Sequence, residues 1–184
     1  MAFVVEDGTG IANANAYIDV AFADSYNTDR LNSTWTDLTD QTFKEAAIIA
    51  ATDYIDYRWD FVGRRKRNFE QQSLKWPRIG AFIQNENKEI QANLVPLQVQ
   101  YAACEYALQA VGQSDTAGVL AVLSPPPNID STGGKIIAKK EEVGPVKEET
   151  RYSGSFGLIT LKPYPKADNY LRDLVLHGLK VARG

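Results

Sequence analysis

A mainly α fold, a small helical bundle with a projecting β-hairpin arm and a C-terminal helix, follows from three observations on this chain of 184 residues. Three stretches place apolar residues at helical spacing. A proline run, Ser124-Pro125-Pro126-Pro127-Asn128, interrupts that pattern. Beyond it the texture turns charged and β-leaning before a last apolar helical stripe. The boundaries that result are a helical body at 1–123, a proline-hinged arm with a hairpin at 124–163, and a C-terminal helix at 164–184.

The opening residues Phe3 to Glu6 read as an extended segment ending in a turn at Gly8-Thr9-Gly10. These glycines are no phosphate loop, because the third glycine and the lysine of such loops are absent. Asp19 caps a first helix with Phe22, Ala23 and Tyr26 on one face. Thr39 caps a second, in which Phe43, Ala47, Ala50 and Tyr54 form a stripe widened by Ala46, Ile49 and Ala51. Pro96 suits the first position of a third helix, whose face is Leu97, Tyr101, Cys104, Leu108 and Val111, with Gly112 as its stop. Between the second and third helices lie the basic run Arg64-Arg65-Lys66-Arg67, the signature Trp76-Pro77-Arg78, and a polar stretch at 84–93 read as a loop. Residues 135–152, with a Gly144-Pro145 turn, form a two-stranded ribbon that carries too few apolar residues to stand alone in water. Ser153 to Gly157 is a hinge. Pro165 then opens a helix with Ala167, Tyr170, Leu171, Leu174 and Leu179 on a shared face and His177 near its end.

Lysine and arginine number 20 against 23 acids, a formal charge of −3, which argues against a general affinity for nucleic acid. With one cysteine, Cys104, and one histidine, His177, the chain has neither a disulfide framework nor the ligands of a Cys/His zinc site. No metal and no cofactor is expected. No apolar run approaches the roughly 20 residues that span a bilayer, and the start lacks a basic leader, so the protein is expected to be soluble and to stay where it is made.

No catalytic residue is expected either. Cys104 lies in an apolar stripe, where a thiol behaves as a small hydrophobe. Asp53 and Asp56 sit three apart on a helix without a nucleophile or histidine beside them, and read as solvated acids. Arg64 to Arg67 with Trp59, Phe61, Phe69 and Trp76 is the strongest binding string, because cations and stacking aromatics hold single strands. An exposed charged loop flanked by core aromatics produces the same string, and that reading is favoured.

A wider resemblance runs through nearly the whole chain. It rests on Phe3-Val4-Val5-Glu6-Asp7-Gly8-Thr9-Gly10, on Ala14-Asn15-Ala16-Tyr17-Ile18-Asp19-Val20-Ala21, and on Ala23-Asp24-Ser25-Tyr26. Further along it includes Ala50-Ala51-Thr52-Asp53-Tyr54-Ile55-Asp56, Gly63-Arg64-Arg65, Leu74-Lys75-Trp76-Pro77-Arg78, Val95-Pro96 and Val143-Gly144-Pro145-Val146. Together these resemble a tailed-bacteriophage family often labelled DnaT-like single-stranded-DNA-binding proteins, whose members look like head–tail connector adaptors. The resemblance implies a virion protein of the neck, assembled in the host cytoplasm into a ring, commonly of twelve copies, beneath the portal. Its partners would be the portal protein, the next neck or tail protein and, transiently, the genomic DNA in the channel. Heterologous contacts close into such a ring when the rotation per subunit permits. On this reading Arg64, Arg65, Lys66 and Arg67 face the channel or a neighbouring subunit. Tyr170, Leu171, Leu174 and Leu179 dock on the portal or a neighbour, and Trp76-Pro77-Arg78 is the family signature. The alternative is a single-stranded-DNA-binding module of phage replication.

Overall fold

The structure, a computed structural model, describes residues 2–68, 70–83, 86, 88–112, 120, 121, 123, 136–142, 147–152 and 163–176, the stretches 136–142 and 147–152 by their backbone alone. Helix α1 (Val20–Thr28) starts where its cap predicts, with the Asp19 side chain accepting from the Phe22 amide at 2.7 Å. A short helix α2 (Ser33–Thr36) follows and buries Trp35. Helix α3 (Gln41–Arg58) is capped one residue later than expected: Asp40, not Thr39, accepts from the Thr42 and Phe43 amides. A carboxylate is also the better partner for the positive end of the helix.

Helix α4 (Leu97–Gly112) begins directly after Pro96, one residue later than expected, and has Gly112 as its last residue. The side it buries differs from the expected stripe, however. Val99, Ala102, Ala103, Tyr106, Ala107 and Ala110 are enclosed along with Cys104, whereas Leu97 is 54% exposed and Tyr101, Leu108 and Val111 are half-buried. The reason is that α4 is covered from several directions, by α3 on one side and by α5 (Pro165–Leu171) on another. Small alanines on α3 and α4 let their backbones approach, and Ala47, Ile48, Ala51 and Ile55 of α3 are fully enclosed.

Between α3 and α4 the chain makes two short antiparallel pairs. Strand β1 (Arg64–Arg65) pairs with β2 (Arg78–Ile79), and β3 (Phe82–Ile83) pairs with β4 (Lys88–Glu89). The second pair occupies part of the stretch expected to be loop. At the start of the chain, Val5 bridges Ala16 in parallel.

The chain divides into two compact units, Met1–Leu123 with Tyr164–Gly184, and Ser124–Pro163. Within the second, β5 (Ile136–Glu142) pairs antiparallel with β6 (Lys147–Tyr152), with a register irregularity between Ile136 and Ala138. This is the expected ribbon. The expected proline hinge at 124–128, the Gly144-Pro145 turn, the hinge at 153–157, His177 and Leu179 lie outside the described residues. A mainly α bundle with a β-hairpin is therefore the architecture.

Candidate functional site

The basic run is built on a rigid frame. Gly63 precedes it with φ +74°, and a Cβ there would lie 2.6 Å from the Ile79 carbonyl oxygen, so this tight entry requires glycine. Arg64 and Arg65 then pair with Ile79 and Arg78 across β1–β2, and the Lys66 amide donates to the Pro77 carbonyl at 3.1 Å. Strand geometry sends successive side chains to opposite sides, which leaves Arg64 exposed and Arg65 half-buried. Arg67 is exposed as well, and among the described residues neither Arg64 nor Arg67 has an acid within ion-pair distance. The Lys66 ammonium donates to the Gly8 carbonyl at 3.0 Å. Its charge also helps hold the exposed Asp7 carboxyl below the ordinary value, behind the larger effect of the Thr9 bonds.

Two buried polar side chains fix this run in place. The Gln72 side chain accepts from the Arg67 amide at 3.0 Å and donates to the Leu74 and Pro77 carbonyls at 2.9 Å each. Glu6, itself buried, accepts from the amides of Gly8, Gly10 and Ile11 at 2.8–2.9 Å and so closes the loop against which Lys66 rests. Gly8 in that loop has φ +95°, and a Cβ would strike the Asn93 carbonyl at 2.0 Å.

The Trp76-Pro77-Arg78 signature faces inward. Trp76 is fully buried against Phe61, their centroids 5.5 Å apart, and the Trp76-Pro77 bond is cis. The Arg78 guanidinium donates to four backbone carbonyls, those of Phe61, Val62, Gly63 and Lys75, at 2.5–3.1 Å. Burial draws Arg78 below the usual guanidinium value, yet the group stays charged. It clamps the start of β1 to the start of β2. Signature and basic run are thus one device, a buried clamp carrying an exposed cationic edge. Of the aromatics beside that edge, Phe61 and Trp76 are core and Trp59 is half-buried, donating to the Tyr106 hydroxyl at 3.1 Å. Phe69 lies outside the described residues.

The other sequence candidates separate. Asp56 is not a solvated acid: it accepts from the Tyr17 hydroxyl and, at 2.7 Å, from the Lys75 amide. Burial pushes its carboxyl up, against those bonds, which pull it down. Asp53, by contrast, is exposed as expected, and partial burial raises its carboxyl. Cys104 is enclosed, and its thiol is driven well above the ordinary range by burial.

The docking role expected of the last helix meets a physical obstacle. Leu171 and Leu174 are fully buried in the unit's own core, so the roughly 1.5–3 kcal/mol each can gain from burial goes to intramolecular packing. Asp168 locks α5 down, accepting from the Tyr106 hydroxyl at 2.5 Å, the Arg58 guanidinium at 2.8 Å and the Tyr164 amide at 3.0 Å. Tyr170 is half-buried beside Tyr101, and Leu179 is outside the described residues.

Sequence reasoning missed one aromatic cluster, because its members come from three helices. Phe22 of α1, Tyr101 of α4 and Tyr170 of α5 are half-buried around Tyr26, with Tyr101 at 5.3 Å from Tyr26 and 5.6 Å from Tyr170. Beneath them the buried Glu105 accepts from the Tyr26 hydroxyl and the Lys166 ammonium, at 2.6 Å each. Among the described residues no group of three His, Cys, Asp or Glu side chains is placed to hold a metal, and no helix is long and apolar enough to cross a membrane.

A family model described as "Putative DnaT-like ssDNA binding protein" matches residues 1–184, and the chain belongs to that family. No curated protein and no solved structure matches it. The DnaT-like label attached to the resemblance is therefore correct, whereas the head–tail connector function is overturned: the family is described by single-stranded-DNA binding, the reading held as the alternative.

Proposed function

We propose that this chain is a single-stranded-DNA-binding module whose phosphate-facing edge is Arg64 and Arg67, the exposed ends of the run Arg64-Arg65-Lys66-Arg67. The observation that carries this reading is the exposed, acid-free pair Arg64 and Arg67, held on a backbone that the buried Arg78 and Gln72 make rigid. A fixed frame lowers the ordering cost of binding, and guanidinium is the side chain best matched to phosphate. The family description supports the ligand class.

The net charge of −3 shapes the expected behaviour. A short cationic edge on an acidic protein neutralises only a few phosphates, so binding is modest and strongly salt-dependent. The test is fluorescence anisotropy of a labelled oligothymidylate at low salt, with the parent protein and with Arg64→Glu plus Arg67→Glu. Both residues are exposed, so the double variant should melt like the parent. Binding by the parent and its loss in the variant are expected; a parent that leaves the oligonucleotide unbound overturns the reading.

A further inference from the structure

We infer that the same protein carries a second, separate contact for single-stranded DNA, a base-stacking platform made by Arg30 on the Phe22–Tyr26–Tyr101–Tyr170 cluster. This inference rests on the proposed function and adds to it where the bases, as distinct from the phosphates, are held.

The geometry begins with Arg30. Its guanidinium carbon sits 3.5 Å above the Tyr26 ring centroid and 5.8 Å from that of Tyr101. The guanidinium also donates to the Tyr26 carbonyl at 3.0 Å, which fixes where it lies. Stacking distance on the inner side is thus already filled by a tyrosine. Arg30 is nevertheless an exposed residue, so the opposite face of the guanidinium meets solvent. Among the described residues no carboxylate lies within ion-pair distance of it; the buried Glu105, bonded by Lys166 and Tyr26, acts on it only through its charge. An immobilised, exposed guanidinium that is stacked on one side and has no carboxylate in direct contact is complementary to a flat π-system that has an anion beside it. A nucleotide base with its phosphate meets that description.

The rim supplies a second, independent observation. Leu31, next in the chain, is 90% exposed and adopts φ +53°, a left-handed backbone that is costly for a branched side chain. The turn that imposes this is firmly made: the Asn32 amide donates to the Asn27 carbonyl at 3.0 Å, and the Asn32 side chain donates to the Asn27 side-chain oxygen at 2.8 Å. Leu31 thus adds an exposed apolar side chain directly after Arg30 in the chain. The half-buried Phe22 and Tyr101 rings, 6.1 Å apart and inclined by 24°, extend the aromatic surface.

The test uses the full chain and an oligothymidylate of about 15 nucleotides, within the span single-strand sites cover. Arg30→Lys keeps the charge but not the planar stack, and Tyr101→Leu keeps the apolar packing but not the ring. Each should weaken binding by about fivefold or more, the low end of what loss of one stacked base causes, while Tyr101→Phe binds like the parent. A 5-iodouracil oligonucleotide should photocrosslink to a peptide containing Tyr101, Phe22 or Tyr170. If the parent binds, Arg64→Glu plus Arg67→Glu abolishes binding, and Arg30→Lys and Tyr101→Leu match the parent, the platform is refuted while the phosphate-binding edge stands. If the parent itself fails to bind, the proposed function falls and the platform with it. Sedimentation velocity provides a further check: variants that bind DNA normally but change self-association assign this face to a second copy of the chain and refute the platform.

Discussion

Replacing Arg78 by methionine separates a structural clamp from a nucleic-acid contact. The guanidinium donates to four carbonyls at 2.5–3.1 Å, and the residue is 8% exposed. Methionine approximates its length but donates nothing. The carbonyls of Phe61 and Val62 belong to buried residues and would be left without this partner; those of the exposed Gly63 and half-buried Lys75 can turn to water. Charged hydrogen bonds contribute about 1.5–3 kcal/mol each, and relaxation recovers part of the loss, so a destabilisation of about 3–5 kcal/mol is expected. In a chain of this length that lowers the melting temperature by about 6–20 °C. Arg78→Lys, which keeps a charge but reaches fewer carbonyls, should lose about half as much. Differential scanning calorimetry beside oligonucleotide titration decides the matter. A methionine variant that melts within about 1 °C of the parent refutes the clamp, and one that melts normally yet loses DNA makes Arg78 a ligand contact.

Three further outcomes are expected. Burial raises the phenols of Tyr17, Tyr26 and Tyr106 above the ordinary 10.0, so the folded protein keeps protons that the unfolded chain releases near pH 10. Stability should therefore be full below that pH and fall as pH rises beyond it, seen as urea midpoints that drop from about pH 10 upward; a flat midpoint contradicts this. Cys104, buried and with its thiol raised, should resist a thiol reagent in the native state and react at the rate of a free thiol in denaturant. Asp168→Ala removes the acceptor shared by Tyr106, Arg58 and Tyr164, and should lower stability by about 2–4 kcal/mol while leaving α1 to α4 folded, as read by hydrogen exchange.

What was legible in the sequence follows a physical divide. Helix starts depend on neighbours in the chain, so Asp19, Pro96 and Pro165 located the starts of α1, α4 and α5; α5 nevertheless ends at Leu171 and gives way to a 3-10 turn at Arg172–Leu174, short of the expected helix, because Val175 bridges Phe61. Helix α2, with four residues, is too short to show a period. The buried face of α4 was misjudged because burial depends on what covers a helix, and α5 arrives from far along the chain to cover it. Polar hubs were invisible for the same reason: nothing local says that Gln72 reaches the Arg67 amide or that Glu105 meets Tyr26, 79 positions away. The basic run was legible as a charged segment beside core aromatics, and Phe61 and Trp76 are indeed core. Arg30 drew no notice although it lies only four positions after Tyr26, a local spacing at which the stacking was within reach of the sequence.

The salt dependence of oligonucleotide binding tests the central claim most directly. Each phosphate neutralised on a single strand contributes about −0.7 to the slope of log affinity against log salt, so the two exposed arginines predict a slope of about −1.4. Between about 50 and about 200 mM salt the affinity of the parent for oligothymidylate should then fall about sevenfold. In Arg64→Glu plus Arg67→Glu the slope should shrink by at least half. A parent whose binding is indifferent to salt, or a double variant whose slope equals the parent's, would contradict the assignment of this edge to DNA phosphates.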